Sequence, residues 1–152
     1  MTVEHRLATM DDCSLLAELN QRFLLEEGHK NVFLPALGPP DAIPLNRLLE
    51  RMQRWLSQRH EAVVFSVQDQ VVAYALYEEG KYNLGLQQFF VVPDRRRTGI
   101  GRRCFEVLRS EYWPHNKRIS LEVLTDNEPA VAFWRAMGFR NYSLEMVISP
   151  DP

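Results

Sequence analysis

The sequence predicts an α/β protein, a mixed sheet covered by helices, and three features carry that expectation. Segments of strand-like apolar patterning alternate with segments whose apolar residues recur at helical spacing. One stretch, Phe89-Phe90-Val91-Val92, is apolar on both faces and so belongs inside a sheet rather than at its edge. The composition is that of an ordinary globular chain: 152 residues, 45% hydrophobic and 25% charged, with eight Phe, five Tyr and three Trp to fill a core. That length fits one domain over residues 1–152.

Val3–Ala8 reads as a first strand. Thr9 or Asp11 can cap the helix that follows, whose apolar face is Leu15, Leu16, Leu19 and Phe23 and whose end is Gly28. Pro35–Pro44 holds four prolines and a glycine, which makes it a loop, placed over the site as an insert. Leu48, Leu49, Met52, Trp55 and Leu56 form the stripe of a second helix. Ala62–Val67 and Val71–Tyr77, separated by Gln68-Asp69-Gln70, predict a β-hairpin, and Leu84–Val92 another strand. Helical spacing returns with Ile100, Cys104, Val107, Leu108 and Tyr112, ending near Trp113-Pro114-His115. A strand at Arg118–Leu124, a short helix at Glu128–Met137 and a last strand at Phe139–Ile148 complete the order.

Several function classes fit poorly. No stretch reaches the ~18 consecutive apolar residues of a membrane span, and MTVEHRLATMDD meets acidic residues before any apolar run, unlike a secretion signal. Cys13 and Cys104 lie far apart without CxxC spacing, which suits reduced thiols and a cytoplasmic setting. His5, His29, His60 and His115 are dispersed, so no metal is expected. Net charge is −2, yet Asp94–Arg103 carries five arginines against one aspartate, leaving 13 basic and 19 acidic residues elsewhere. A nucleic-acid binder would be basic more broadly, with aromatics among the arginines. A concentrated anion site in an acidic body fits better.

That site centres on Val91-Val92-Pro93-Asp94-Arg95-Arg96-Arg97-Thr98-Gly99-Ile100-Gly101-Arg102. An apolar strand ends, a loop turns through two glycines, and a helix begins. Amides of a first helical turn converge where positive partial charge accumulates, a place suited to a diphosphate. A Rossmann fingerprint would need a third glycine where Cys104 stands, and a Walker loop would need GK[ST]. What remains is Arg/Gln-x-x-Gly-x-Gly/Ala, matched by Arg96, Gly99 and Gly101. Downstream, Asn127-Glu128-Pro129-Ala130-Val131-Ala132-Phe133-Trp134-Arg135-Ala136-Met137-Gly138-Phe139 matches N-x-x-A-x-x-F-Y-x-x-x-G-F at every marked place but one. With both motifs in order across its C-terminal half, the chain resembles the GCN5-related N-acetyltransferase (GNAT) superfamily.

The resemblance implies a mostly antiparallel central sheet flanked by about four helices, and acetyl-CoA as cosubstrate with no metal. Arg96, Arg97, Thr98, Gly99, Ile100, Gly101 and Arg102 would hold the diphosphate. Phe89, Phe90 and Val91, where family strands splay, would hold the pantetheine and thioester, and Asn127 the arm near the sulfur. It also implies acetyl transfer to a primary amine of a small molecule or peptide by direct attack in a ternary complex, with no nucleic acid or membrane partner, and a homodimer as a common family state. Each residue has a plainer structural alternative: the glycines permit a sharp turn, Asn127 caps a helix, Phe133 and Met137 fill the core, and Gly138 ends a helix.

The amine must first lose a proton, since an ammonium of pKa ~10.4 has no lone pair. Glu122 stands where ribosomal-protein alanine acetyltransferases carry their base; an ion pair or solvent is its alternative role. In many members the base lies on the strand before the glycine turn, where this chain has Gln87 and Gln88, with Glu78 and Glu79 as runner-up carboxylates. Trp134 replaces the family's proton-donating tyrosine, and an indole N–H is no acid at neutral pH. The thiolate then leaves unaided, or Tyr142 or Tyr112 substitutes, or the chain is a non-catalytic acyl-CoA-binding module and Trp134 simply packs with Ala130 and Met137.

Overall fold

The computed structural model describes residues 2–28, 43–148, 150 and 151. Of the proline-rich stretch Pro35–Pro44, residues 35–42 lie outside the described residues. Strand β1 (Glu4–Leu7) leads through a short 3-10 turn into α1 (Cys13–Gly28), followed by α2 (Leu45–Ser57). Then come β2 (His60–Val67), β3 (Gln70–Glu79), β4 (Asn83–Val91), α3 (Ile100–Val107), β5 (Arg118–Leu121) and α4 (Glu128–Ala136). The sheet order is β1-β2-β3-β4-β5. The first three pairings are antiparallel, and β4–β5, joined through α3, is parallel.

Local chemistry explains most boundaries. Thr9 and Asp12 form a reciprocal capping box ahead of α1, so of the two expected caps Thr9 is the one that serves, and Asp11 lies in the first turn. Gln68 and Asp69, both at positive φ, make the tight two-residue turn that suits the twist of a β2–β3 hairpin. α3 passes into a wider helical turn over Leu108–Tyr112 and stops at Trp113. After α4, Gly138 at φ 105° lets Phe139 N–H donate to Trp134 O and Gly138 N–H to Arg135 O, closing the helix end.

The core lies on both faces of β2–β4. Tyr74, Phe65, Leu16, Leu48, Met52 and Leu76 are among its fully buried side chains, and Cys13 and Cys104 are buried, unbridged thiols. The adjacent residues Phe89 and Phe90 face opposite layers. Phe90 meets Phe23 of α1, while Phe89 stacks on Phe133 of α4. This is the two-faced burial their sequence implied.

Two strand expectations are corrected. The strand expected over Arg118–Leu124 stops at Leu121, and Phe139–Ile148 forms no strand. Tyr142, Leu144, Met146, Val147 and Ile148 are all exposed. Their alternation supplies strand-like sidedness but not a partner, and a strand is made by its ladder. The outer edge of four-residue β5 is not taken up by this tail.

Candidate functional site

The β4–β5 ladder pairs only Asn83 with Arg118, Leu84 with Ile119, Gly85 with Ser120 and Leu86 with Leu121. Beyond that point β4 continues to Val91 while β5 has ended, so among the described residues the β5-facing edge of Gln87–Val91 has no strand beside it. A wedge opens there, floored by backbone N–H and C=O groups. On its other side, Gln87 is the extra residue of a bulge: Leu76 opposes Gln88 while Tyr77 opposes Leu86.

The glycine turn closes the end of β4. After a 3-10 turn over Pro93–Arg95, Arg97 and Gly99 take positive φ, 59° and 86°, and α3 starts at Ile100 with no side-chain cap. The first helical hydrogen bond runs from Arg103 N–H to Gly99 O, which leaves the amides of Ile100, Gly101 and Arg102 without intrahelical acceptors. The two glycines have different work. A Cβ on Gly99 would point into open space, so that position is set by its left-handed backbone. A Cβ on Gly101 would come within 3.3 Å of Phe133, so that glycine serves the contact between α3 and α4.

The arginines also divide. Arg96 is committed inward: Nε donates to Val91 O at 2.9 Å, and the guanidinium forms a two-pronged pair with Glu26 of α1, Nη2 to Oε2 at 2.7 Å. It also lies over Phe90, 5.4 Å from the ring centroid. Arg96 therefore ties α1 to the turn, a role not visible from the motif, because Glu26 is distant in sequence. Arg97, Thr98 and Arg102 are exposed around the free amides.

Asn127 is buried and its side-chain oxygen accepts from Ala130 N–H, capping α4. Trp134 is buried at the centre of an aromatic cluster, with Phe133, Phe89, Phe139 and Phe105 at 4.8, 5.2, 5.4 and 5.9 Å between centroids. It packs. Tyr112 bonds to His5 at 2.7 Å, with its hydroxyl pKa raised by burial, and Tyr142 sits exposed against Arg118; neither joins the wedge. Glu122 directly follows the last β4–β5 pair, so it stands at the mouth of the wedge, exposed. Gln88 is buried and accepts from Tyr74, whose hydroxyl pKa is driven far up by burial. Among the described residues no group of three or more His, Cys, Asp or Glu is placed to hold a metal, and no helix is long and apolar enough to cross a membrane.

A model of the acetyltransferase (GNAT) family matches residues 29–139. The peptidyl-lysine N-acetyltransferase YiaC of Escherichia coli (strain K12) is 31% identical over 101 residues, 65% of this chain. The chain spans 59% of that relative's length. A possible acetyltransferase from Clostridium difficile 630 superposes with a TM-score of 0.75 at 21% identity, covering 100% of this chain and 99% of the other. The aminoglycoside acetyltransferase meta-AAC0020 from an uncultured soil metagenomic sample gives 0.70 at 13%, covering 98% and 97%. At these identities the two structures establish likeness of fold alone.

Proposed function

Because the chain belongs to the GNAT acetyltransferase family, we propose that it transfers the acetyl group of acetyl-CoA to a primary amine by direct attack in a ternary complex. The observation that carries this reading is the wedge: the β4 edge from Gln87 to Val91, which has no strand beside it among the described residues and of which Val91 O is taken by Arg96, leads directly into uncapped amides at the start of α3. The amides of Ile100, Gly101 and Arg102 receive the diphosphate, with Arg97 and Arg102 adding charge. The edge at Phe89–Val91 holds the pantetheine arm and donates to the thioester oxygen, where negative charge grows during attack. Asn127 fixes the entrance of α4 beside the arm, and Arg96 braces the turn from behind.

Glu122, at the mouth of the wedge, is one candidate to receive the ammonium proton. Trp134 supplies no acid, so the coenzyme leaves as thiolate, a good leaving group at a thiol pKa of ~8.5. The acceptor is a cationic amine on a small molecule or peptide, attracted by the acidic remainder of the chain. YiaC's name gives a lysine side chain in a peptide as one such amine. A single domain, a cytoplasmic setting and a homodimeric assembly go with this reading. The buried Trp134 favours one second reading, an acyl-CoA-binding module without turnover.

Calorimetry with acetyl-CoA, followed by thiol release across a panel of amines, tests both. Uptake with release on at least one amine supports the enzyme, and uptake without release on any supports the module. No uptake by folded protein removes the shared premise.

A further inference from the structure

Building on the acetyltransferase reading, we propose that His60, with Glu78 beside its Nε2, is the base that takes the proton from the acceptor amine at the β4 bulge. Three strands bring the parts to one place. His60 opens β2, Glu78 is its register partner in β3, and Gln87 is the inserted residue of β4. His60 Nε2 lies 2.5 Å from Gln87 Oε1 and 3.7 Å from Glu78 Oε2, and the imidazole is 11% exposed. Trp55 of α2 covers the ring at 5.5 Å between centroids.

The position suits the chemistry. Gln87 is two residues from Phe89, about 7 Å at ~3.3 Å per strand residue, so an arm running down β4 with its thioester at the Phe89–Val91 edge points its acyl end toward the bulge. Imidazole ordinarily titrates near neutrality, which makes it an efficient proton acceptor at working pH. The Gln87 amide is exposed and can present either end to Nε2, accepting from an N–H or donating to a lone pair, so it accommodates both protonation states. Charges around the ring are few. Glu78 faces it from β3, Arg59 reaches the other Glu78 oxygen at 3.9 Å, and among the described residues β4 brings Gln87 and α2 brings Trp55 against it, with Arg51 of α2 4.6 Å from the Trp55 ring. Glu61 shares with His60 a depression of about 270 Å3, also lined by Thr9, Met10 and Leu56, which gives the ring a solvent path.

The step balances. The ammonium N–H bond breaks and its proton passes to Nε2, directly or through one water. The freed amine lone pair forms a bond to the thioester carbon, and the C–S bond breaks to give thiolate. The second amine proton goes to that thiolate, and imidazolium returns its proton to solvent through the depression.

The test compares H60N, E78Q and E122Q with the full wild-type chain, using an amine that the wild type acetylates. H60N should lose about 10²–10³ in kcat, along with the acid limb of the pH profile, while binding acetyl-CoA normally by calorimetry. E78Q, which removes the carboxylate 3.7 Å from Nε2, should lower kcat while leaving acetyl-CoA uptake intact. Independently of turnover, wild-type tryptophan emission should change with pH, and that change should disappear in both H60N and W55F. If H60N keeps kcat within threefold and retains the limb, the proposal is overturned, and loss of the limb in E122Q instead would assign it to that carboxylate. If the wild type takes up no acetyl-CoA or acetylates no amine, the underlying acetyltransferase reading fails, and this proposal with it.

Discussion

Replacing Gly99 by alanine separates backbone strain from ligand contact, because a second glycine serves as an internal control. Gly99 sits at φ 86° and Gly138 at φ 105°, and a Cβ at either would meet no atom within 4 Å. Neither substitution creates a clash. Each therefore costs mainly the left-handed penalty, about 1–2 kcal/mol, which lowers Tm by about 2–8 °C in a chain of this size. Only Gly99 borders the free amides of α3. A methyl there holds a diphosphate away from at least one donor, and a hydrogen bond to a charged group is worth about 1.5–3 kcal/mol. At ~1.4 kcal/mol per tenfold, the acetyl-CoA Kd should rise roughly 10- to 100-fold in G99A. In G138A it should stay within about twofold. Thermal melts and calorimetry on the two variants measure both quantities. Equal melting losses with equal, unchanged affinities would refute the placement of the diphosphate at this turn.

Two further outcomes follow from buried groups. The Asp12 carboxyl is held below the usual carboxylate range, first by the two-pronged bond from Arg6 at 2.7 and 2.8 Å and also by Thr9 N–H. Its contribution is present above the unfolded pKa of ~3.9 and is lost as pH falls through the lower folded value. D12N should cost about 1–3 kcal/mol near pH 7 and flatten the acid limb of a denaturation series below about pH 4. Burial pushes the Cys104 thiol up to about 12 and raises that of Cys13 as well. Both should resist an aromatic disulfide reagent in the native state and react together once the chain is unfolded, which a spectrophotometric thiol count resolves.

The sheet and the turn were legible in the sequence because both are local. Periodicity placed β2–β4 and α2, and paired aromatics at Phe89-Phe90 announced a strand buried on both faces. What the motif could not separate was the work of its two glycines. Gly99 answers to its own φ, whereas Gly101 answers to Phe133, a residue of another helix. Long-range partners were equally hidden: nothing near Arg96 in sequence names Glu26, and nothing near Gln87 names His60. Trp134 was ambiguous for the same reason, since a ring sharing an apolar face with Ala130 and Met137 becomes plainly structural only once Phe89 and Phe105 surround it. The tail misled in the opposite direction, because alternation at Tyr142–Ile148 describes a strand's sidedness without supplying its neighbour.

The division among the arginines bears on how the turn would hold an anion. Arg96 is neutralised by Glu26, and Arg103 has Glu106 at 3.9 Å. Arg97 and Arg102 stand exposed, where screening by salt leaves a single charge little net attraction. The strength of the site must then come from backbone amides whose orientation is fixed, and the chain spends strain to fix them. Arg97, not a glycine, occupies a left-handed conformation at φ 59°, an arrangement that persists only where the surroundings enforce it. Immediately before that residue, Arg96 joins Val91 O at the end of β4 to Glu26 of α1. On the proposed reading the first motif arginine would serve the diphosphate by bracing the turn, since its charge is directed at Glu26.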